Sequence, residues 1–220
     1  MLMRINRFLA AATGISRRQA DKVISSNQVT INGLPAKLID HVTANDEVTL
    51  KKRRLFLPLS NTTLIINKPV GYVCSRNGQG SKTVYDLLPQ EYQSLKPVGR
   101  LDKDSSGLLL MTDDGQLAHE LTHPKFNKQK LYEVSLALML KEEDRKKLIA
   151  GIELEDGISK LGLRPMDRTD KNWQISISEG RNRQIRRTFS ALGYTVKKLH
   201  RTQFGDYKLD DLATGEIQKA

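Results

Sequence analysis

Three stretches of this 220-residue chain carry side chains at spacings that chemistry uses. The first is Gly99-Arg100-Leu101-Asp102, followed by Ser105-Ser106-Gly107 and the apolar run Leu108-Leu109-Leu110. An acid beside a strand made for the interior must be paired, or its burial costs several kcal/mol. Two readings fit it. Asp102 is either a reactive carboxylate or a structural Asp closing its turn on backbone N–H groups, and composition alone favours the second. The second stretch, His119-Glu120-Leu121-Thr122-His123, matches H-E-x-x-H, which puts two imidazoles on one helical face with a Glu placed to activate a zinc-bound water. Pro124 follows directly and disfavours the α conformation at His123. No further His follows before His200, and nothing singles out Glu142 or Glu143 as a third ligand, so the expectation is a helix-ending turn and no metal site. The third, Gly78-Gln79-Gly80-Ser81-Lys82, lacks the spacing and the strand–loop–helix context of a phosphate loop and reads as a surface turn. Cys74 is the single cysteine, which excludes an internal disulfide and a cysteine metal cage. It reads as a packing residue.

The elements that must position these residues follow from periodicity and capping. Ile5, Phe8, Leu9 and Ala12 lie on one helical face that Gly14 ends, and Ser16 with Gln19 forms a capping box for a second helix carrying Arg17, Arg18 and Lys22 outward. Val29-Thr30-Ile31 predicts a strand, Asn32-Gly33 a tight turn and residues 47–50 the returning strand. Lys51-Lys52-Arg53-Arg54 with Pro58 reads as a linker, giving a small α/β module over 1–58 and a second domain over 59–220. In that domain strands are expected at 64–66, 108–112, 132–138, 173–177 and 196–199, and helices at 116–122, 141–150 and 182–192. The fold class is therefore α+β, with a mixed, mainly antiparallel sheet in the second domain. Trp173 and Phe189 are assigned to its core.

Net charge is +11. Residues 1–58 hold ten Lys/Arg against four acids, and residues 180–201 hold seven and no acid. Two basic surfaces and a polyanionic partner are implied. No apolar run approaches the roughly 20 residues of a membrane span, and no long amphipathic helix could insert in a membrane surface. The N-terminus does not read as a signal peptide, so a cytoplasmic location is expected.

The first 50 residues, in RINRFLAAATGISRRQADKVISSNQVTINGLPA and the later DEVTL, resemble the S4 RNA-binding module. The remainder resembles the RsuA/RluB-type ribosomal RNA pseudouridine synthases, in INKPVGYVCS, TVYDLL, GRLDKDSSGLLLMTDDG, KLYEV, EGRNRQIRR and VKKLHRTQFGDYKLDDLATGE, in the family's order. Thr188 departs from the family's usual Met, and the chain lacks the basic tail of some relatives.

The resemblance implies conversion of uridine to pseudouridine without cofactor or metal. It assigns Asp102 as the catalytic aspartate, Arg186 as the arginine pairing with it and favouring its charged form, and Tyr132 as the residue that stacks on the target uracil and serves C5 proton removal. Arg100 is expected to fill the space left by a flipped base, a step that costs a few kcal/mol. Lys68 and Lys130 are candidates for phosphate contact, and Arg17, Arg18, Lys22, Arg181, Arg183 and Arg187 for RNA binding. The implied partner is ribosomal RNA or a pre-ribosomal particle, bound by a monomer. KDSSG and VKKLHRT lean towards a large-subunit target. The alternatives are a non-catalytic S4-containing assembly factor and, more remotely, a zinc peptidase using His119 and His123.

Overall fold

The computed structural model describes residues 2–58 and 60–220. The chain forms two compact units, one of the described residues up to Thr62 with Asp113–Gly115, the other of Thr63–Thr112 and Gln116–Ala220. Leu59, where the sequence reading starts its second domain, lies outside the described residues.

In the first unit α1 (Ile5–Thr13) ends at Gly14 in the left-handed conformation, which glycine adopts without a Cβ penalty. The next helix, α2 (Arg17–Ser25), starts at the capping box foreseen from Ser16 and Gln19, with both reciprocal bonds present. The helices pack Ile5, Phe8, Leu9, Ala20 and Ile24 against Val29 and Val48 of β1 (Val29–Ile31) and β3 (Val48–Leu50). With β2 (Leu34–Pro35) and β4 (Arg53–Arg54) these strands form a sheet of order β2-β1-β3-β4. The tetrabasic stretch read as linker thus contributes an edge strand. Arg17, Arg18 and Lys22 stand exposed on α2, and among the described residues Arg18 and Lys22 have no carboxylate partner.

The second unit is a nine-stranded mixed sheet. Its main path is β8 (Gly162–Pro165), β9 (Asn172–Ile177), β7 (Lys130–Leu136), β10 (Val196–Phe204), β6 (Ser106–Thr112), β5 (Thr63–Lys68) and β11 (Ile217–Lys219). Each neighbouring pair is antiparallel except β10 and β6. The central strands β5 and β6 carry unbroken apolar runs, residues 64–66 and 108–111, because both faces are covered there, and the pleat sends alternate residues to opposite sides. Leu64, Ile66, Leu109 and Met111 join the larger core with Trp173 and Phe189, while Ile65, Leu108 and Leu110 join a second core with Leu121 and Phe204. Three helices complete the unit: α3 (Gly115–Thr122), α4 (Glu142–Ala150) and α5 (Gln184–Ser190). The last is shorter than the sequence pattern predicts, since Arg183 has φ 46° and stands outside the helix as its cap.

The parallel junction places Gly107 opposite Arg201 and His200 opposite Ser106, whose hydroxyl meets the imidazole Nδ1 at 2.9 Å. Gly107 has φ +102°, and a Cβ there would lie 2.6 Å from the Arg201 backbone nitrogen. Both terms exclude a side chain. Gly107→Ala is expected to destabilise the second unit by about 3 kcal/mol or more, read as a lower urea midpoint in an unfolding titration.

Candidate active site

The loop carrying Asp102 is fixed from three directions. Gly99 takes φ 68°, which turns the chain after the short strand at Lys96–Pro97. The Cys74 sulfur is buried between the Leu101 carbonyl at 3.3 Å and its N–H at 3.4 Å, and burial pushes the thiol pKa up. Lys68 at the end of β5 is fully buried, and its ammonium donates to the carbonyls of Pro69 (2.9 Å), Asp102 (3.1 Å) and Ser105 (2.7 Å). Desolvation lowers its pKa, opposed by Cys74, Asp102 and Asp104. Lys68 is therefore not a phosphate contact as the sequence reading expected. An ammonium beneath the sheet surface with its three donors engaged cannot reach RNA.

The turn is closed by main chain, the Ser105 N–H donating to the Asp102 carbonyl at 3.1 Å. The Asp102 carboxylate accepts no hydrogen bond among the described residues and is one-third exposed (33%). Its ionic neighbour is Arg183, whose Nη1 lies 3.6 Å from Oδ2. This corrects the expected pairing with Arg186. Arg186, the third residue of α5, donates to the main-chain carbonyls of Asp104 and Val196 at 2.8 Å each, with Nε 3.3 Å from the Asp104 carboxylate. The left-handed backbone at Arg183 instead brings that side chain forward as a fork onto Asp104, with both N–O distances 2.9 Å. The Arg183 hydrogen bonds hold the Asp104 carboxyl below the usual range. Sequence reading missed Asp104, since nothing in the spacing tells which of two neighbouring aspartates the arginines grip.

The basic surface expected over 180–201 is largely neutralised by acids from elsewhere in the chain. Arg181 and Arg187 both bind Asp156 beyond β-strand Ile152–Leu154, Arg181 also meets Glu179, and Lys198 meets Glu133. Arg181 further donates to the carbonyls of Gly157 and Ile158. These side chains tie a hairpin to α5, and the expectation that Arg181 and Arg187 lie open to RNA is corrected accordingly. Arg201 is buried at 2% exposure.

Asp102 and Arg183 open on a cleft of about 420 Å³ that is also lined by Arg100, Lys130, Tyr132 and Arg201. Tyr132 and Arg201 are register partners on β7 and β10, so adjacent strands deliver them side by side. Arg100 is exposed at the rim and has no ionic partner among the described residues. Lys130, expected at the surface, is buried: its Nζ donates to the Glu179 carbonyl at 3.2 Å and sits over the Phe204 ring at 5.0 Å. Burial, and then the Arg201 charge, lowers its pKa to about 8. Away from the floor, His119 belongs to α3 whereas His123 has an extended backbone (ψ 130°) and caps the following turn by accepting the Lys125 N–H. Among the described residues no group of three His, Cys, Asp or Glu stands together as a metal site.

Residues 62–191 match the RNA pseudouridylate synthase family, and residues 3–48 match the S4 domain. The chain belongs to the RNA pseudouridylate synthase family. Among its relatives, a ribosomal small subunit pseudouridine synthase A of Pasteurella multocida is 38% identical over 98% of this chain and 95% of its own. A ribosomal large subunit pseudouridine synthase B of Bacillus subtilis is 34% identical over 98% and 91%. A pseudouridylate synthase crystal structure, 34% identical, superposes with a TM-score of 0.71 over 99% of this chain and 96% of that one. For this pseudouridylate synthase the relatives bear out the α+β fold and the S4 module read from sequence, and no helix among the described residues is long and apolar enough to cross a membrane.

Two outcomes follow from the buried lysines of the synthase. Lys68→Met leaves the Pro69 and Ser105 carbonyls without a donor, while that of Asp102 keeps the Ser105 N–H, and should cost on the order of 3 kcal/mol, with turnover falling further than RNA affinity because the loop lining the cleft is released. Parallel denaturant titrations and binding isotherms check this. Lys130 titrates near 8 folded and near 10.5 unfolded. Between those values the unfolded chain binds more protons, so the stability of the native chain rises with pH, while below about 8 the full cost of a buried charge stands. The melting-temperature difference, Lys130→Met minus wild type, is therefore expected to be more positive at pH 7 than at pH 10.

Proposed function

We propose that the chain isomerises a specific uridine in ribosomal RNA to pseudouridine, with Asp102 acting at the glycosidic carbon. The observation that supports this reading is the state of Asp102. Among the described residues it accepts no hydrogen bond, and it faces the cleft with a guanidinium held beside it. A structural aspartate would spend its oxygens on the turn; here the main chain closes the turn, and the carboxylate is left to the substrate.

The reaction breaks C1′–N1 of a uridine, turns the base and joins C1′ to C5. It needs an anionic or nucleophilic group at the sugar carbon and a group to receive the C5 proton. In our reading Asp102 supplies the first. Tyr132, buried on the cleft floor at 7% exposure, packs on the uracil and serves the second. Arg183 takes the aspartate-pairing role that the resemblance gave to Arg186, and Arg186 holds Asp104 in place. Arg100 at the rim fills the gap left by the flipped nucleotide. Arg17, Arg18 and Lys22 of the N-terminal module grip the RNA backbone by charge, a contribution that weakens as salt rises. The N-terminal 58 residues thus serve as the grip and the remainder as the catalytic domain. The relatives act, by name, on small-subunit or large-subunit RNA at 38% and 34% identity. Identity does not separate the targets, and KDSSG with VKKLHRT leans to the large subunit.

The test incubates the purified chain with transcribed small- and large-subunit rRNA and maps pseudouridines. One modified position is expected with wild type. Asp102→Asn should lower the single-turnover rate by at least about 10³-fold, the scale lost with an essential catalytic group, with RNA affinity within about threefold. Product formation by Asp102→Asn at the wild-type rate would overturn the reading.

A further inference from the structure

Three cations are buried around the Asp102 loop and cleft floor: Lys68 at 0%, Arg201 at 2% and Lys130 at 9% exposure. Lys68 has three carbonyl acceptors. The other two are under-partnered. Arg201 donates from Nε to the Leu108 carbonyl at 2.8 Å, while its Nη2 is buried with no hydrogen-bond partner among the described residues. Lys130 has one carbonyl acceptor, that of Glu179. Among the described residues no carboxylate forms a salt bridge with either. A buried guanidinium with an unmet donor is costly, and here it shares the floor of one cleft with Lys130 and Tyr132. Both cations also lie near the Phe204 ring, at 4.8 and 5.0 Å from its centroid.

We propose that Arg201 and Lys130 form an anion-stabilising floor for the detached uracil, binding its carbonyl oxygens while the base is free of the sugar. The inference rests on the pseudouridine synthase reading and extends it to two residues that the reading leaves without a chemical task. When C1′–N1 breaks, the bond's electron pair leaves with the base, and the charge spreads over N1 and the carbonyl oxygens. Closing C5–C1′ uses an electron pair of the ring and removes that charge. Loss of the C5 proton and gain of one at N1 then restore the aromatic ring, with no oxidant or reductant. The base is an anion only between the two bond changes, so cations on the floor favour that interval over the bound substrate. They also retain the base while it turns. A backbone phosphate is the competing ligand for the same cations, and the two differ in what their removal does.

The experiment uses the full chain, transcribed rRNA and the variants Arg201→Gln, Arg201→Ala and Lys130→Gln, with folding checked by circular dichroism. Single-turnover rates are expected to fall about 10²-fold or more for each glutamine variant, the scale for loss of one such donor, with RNA dissociation constants within about threefold of wild type. Millimolar guanidinium ion should raise the rate of Arg201→Ala and not that of Asp102→Asn. Rates within about threefold of wild type in folded variants would overturn the proposal. So would a rate loss that saturating RNA restores, which assigns the cations to phosphate. If the Arg201 variants do not fold, Lys130→Gln decides by the same criteria, since its Nζ holds one protein hydrogen bond. Failure of wild type to form pseudouridine would instead remove the underlying reading.

Discussion

The shape of the Asp102 loop traces back to one buried ammonium. Lys68 ends the central strand β5 where no water can reach it, so all its donors must find protein acceptors. It finds them in carbonyls from its own neighbour Pro69 and from Asp102 and Ser105, more than thirty residues away. Those bonds fix the shape of residues 102–105 from beneath. With the Asp102 carbonyl turned in to Lys68, its side chain is turned out to the cleft. The same loop enters β6 through Gly107, where the absence of a Cβ lets β10 approach and puts Arg201 on the floor. A desolvated charge thereby shapes the Asp102 loop, and a glycine lets the floor strand approach it.

Charge in the two units is used in opposite ways. On α2 of the N-terminal module Arg18 and Lys22 stand exposed and, among the described residues, form no salt bridge, which suits binding a phosphate backbone in any sequence. In the larger unit the dense cations of α5 and its preceding loop meet Asp104, Asp156 and Glu179. These pairs are partly exposed, so each adds little to stability. Their effect is positional: they anchor the loop bearing Arg183 against the loop bearing Asp102. A count of basic residues along the chain therefore overstates the electropositive surface here.

The legible features were those written in local pattern. The capping box at Ser16, the glycine stop at Gly14, the apolar strands β5 and β6 and the Pro124 helix end all depend on neighbours within a few residues, and the structure has them. The motif around Asp102 was legible as a unit too. The arginine partner was not: Arg183 stands outside α5 with φ 46°, a backbone state that its sequence does not announce. Lys68 and Lys130 looked like surface lysines because a buried lysine is rare, and only the carbonyls assembled by the fold make their burial tolerable. Asp104 and Arg201 carried no local signal at all, their roles being set by partners 79 and 93 residues away.

The exchange of Arg183 for Arg186 has a chemical consequence. An arginine fork on Asp102 would occupy both carboxylate oxygens in parallel hydrogen bonds, the strongest and most rigid pairing available to it. Such a carboxylate would have to break that fork before meeting a sugar carbon. In the structure the fork falls on Asp104, and Asp102 feels the same guanidinium across 3.6 Å through one oxygen. Arg183 is thus immobilised by one carboxylate so that it can act at a distance on another. Among the described residues Oδ1 of Asp102 has no cation beside it, and Oδ2 meets the guanidinium without a hydrogen bond. The second aspartate of Asp102-Lys103-Asp104 takes the arginine fork and so leaves the carboxylate of the first open to the cleft.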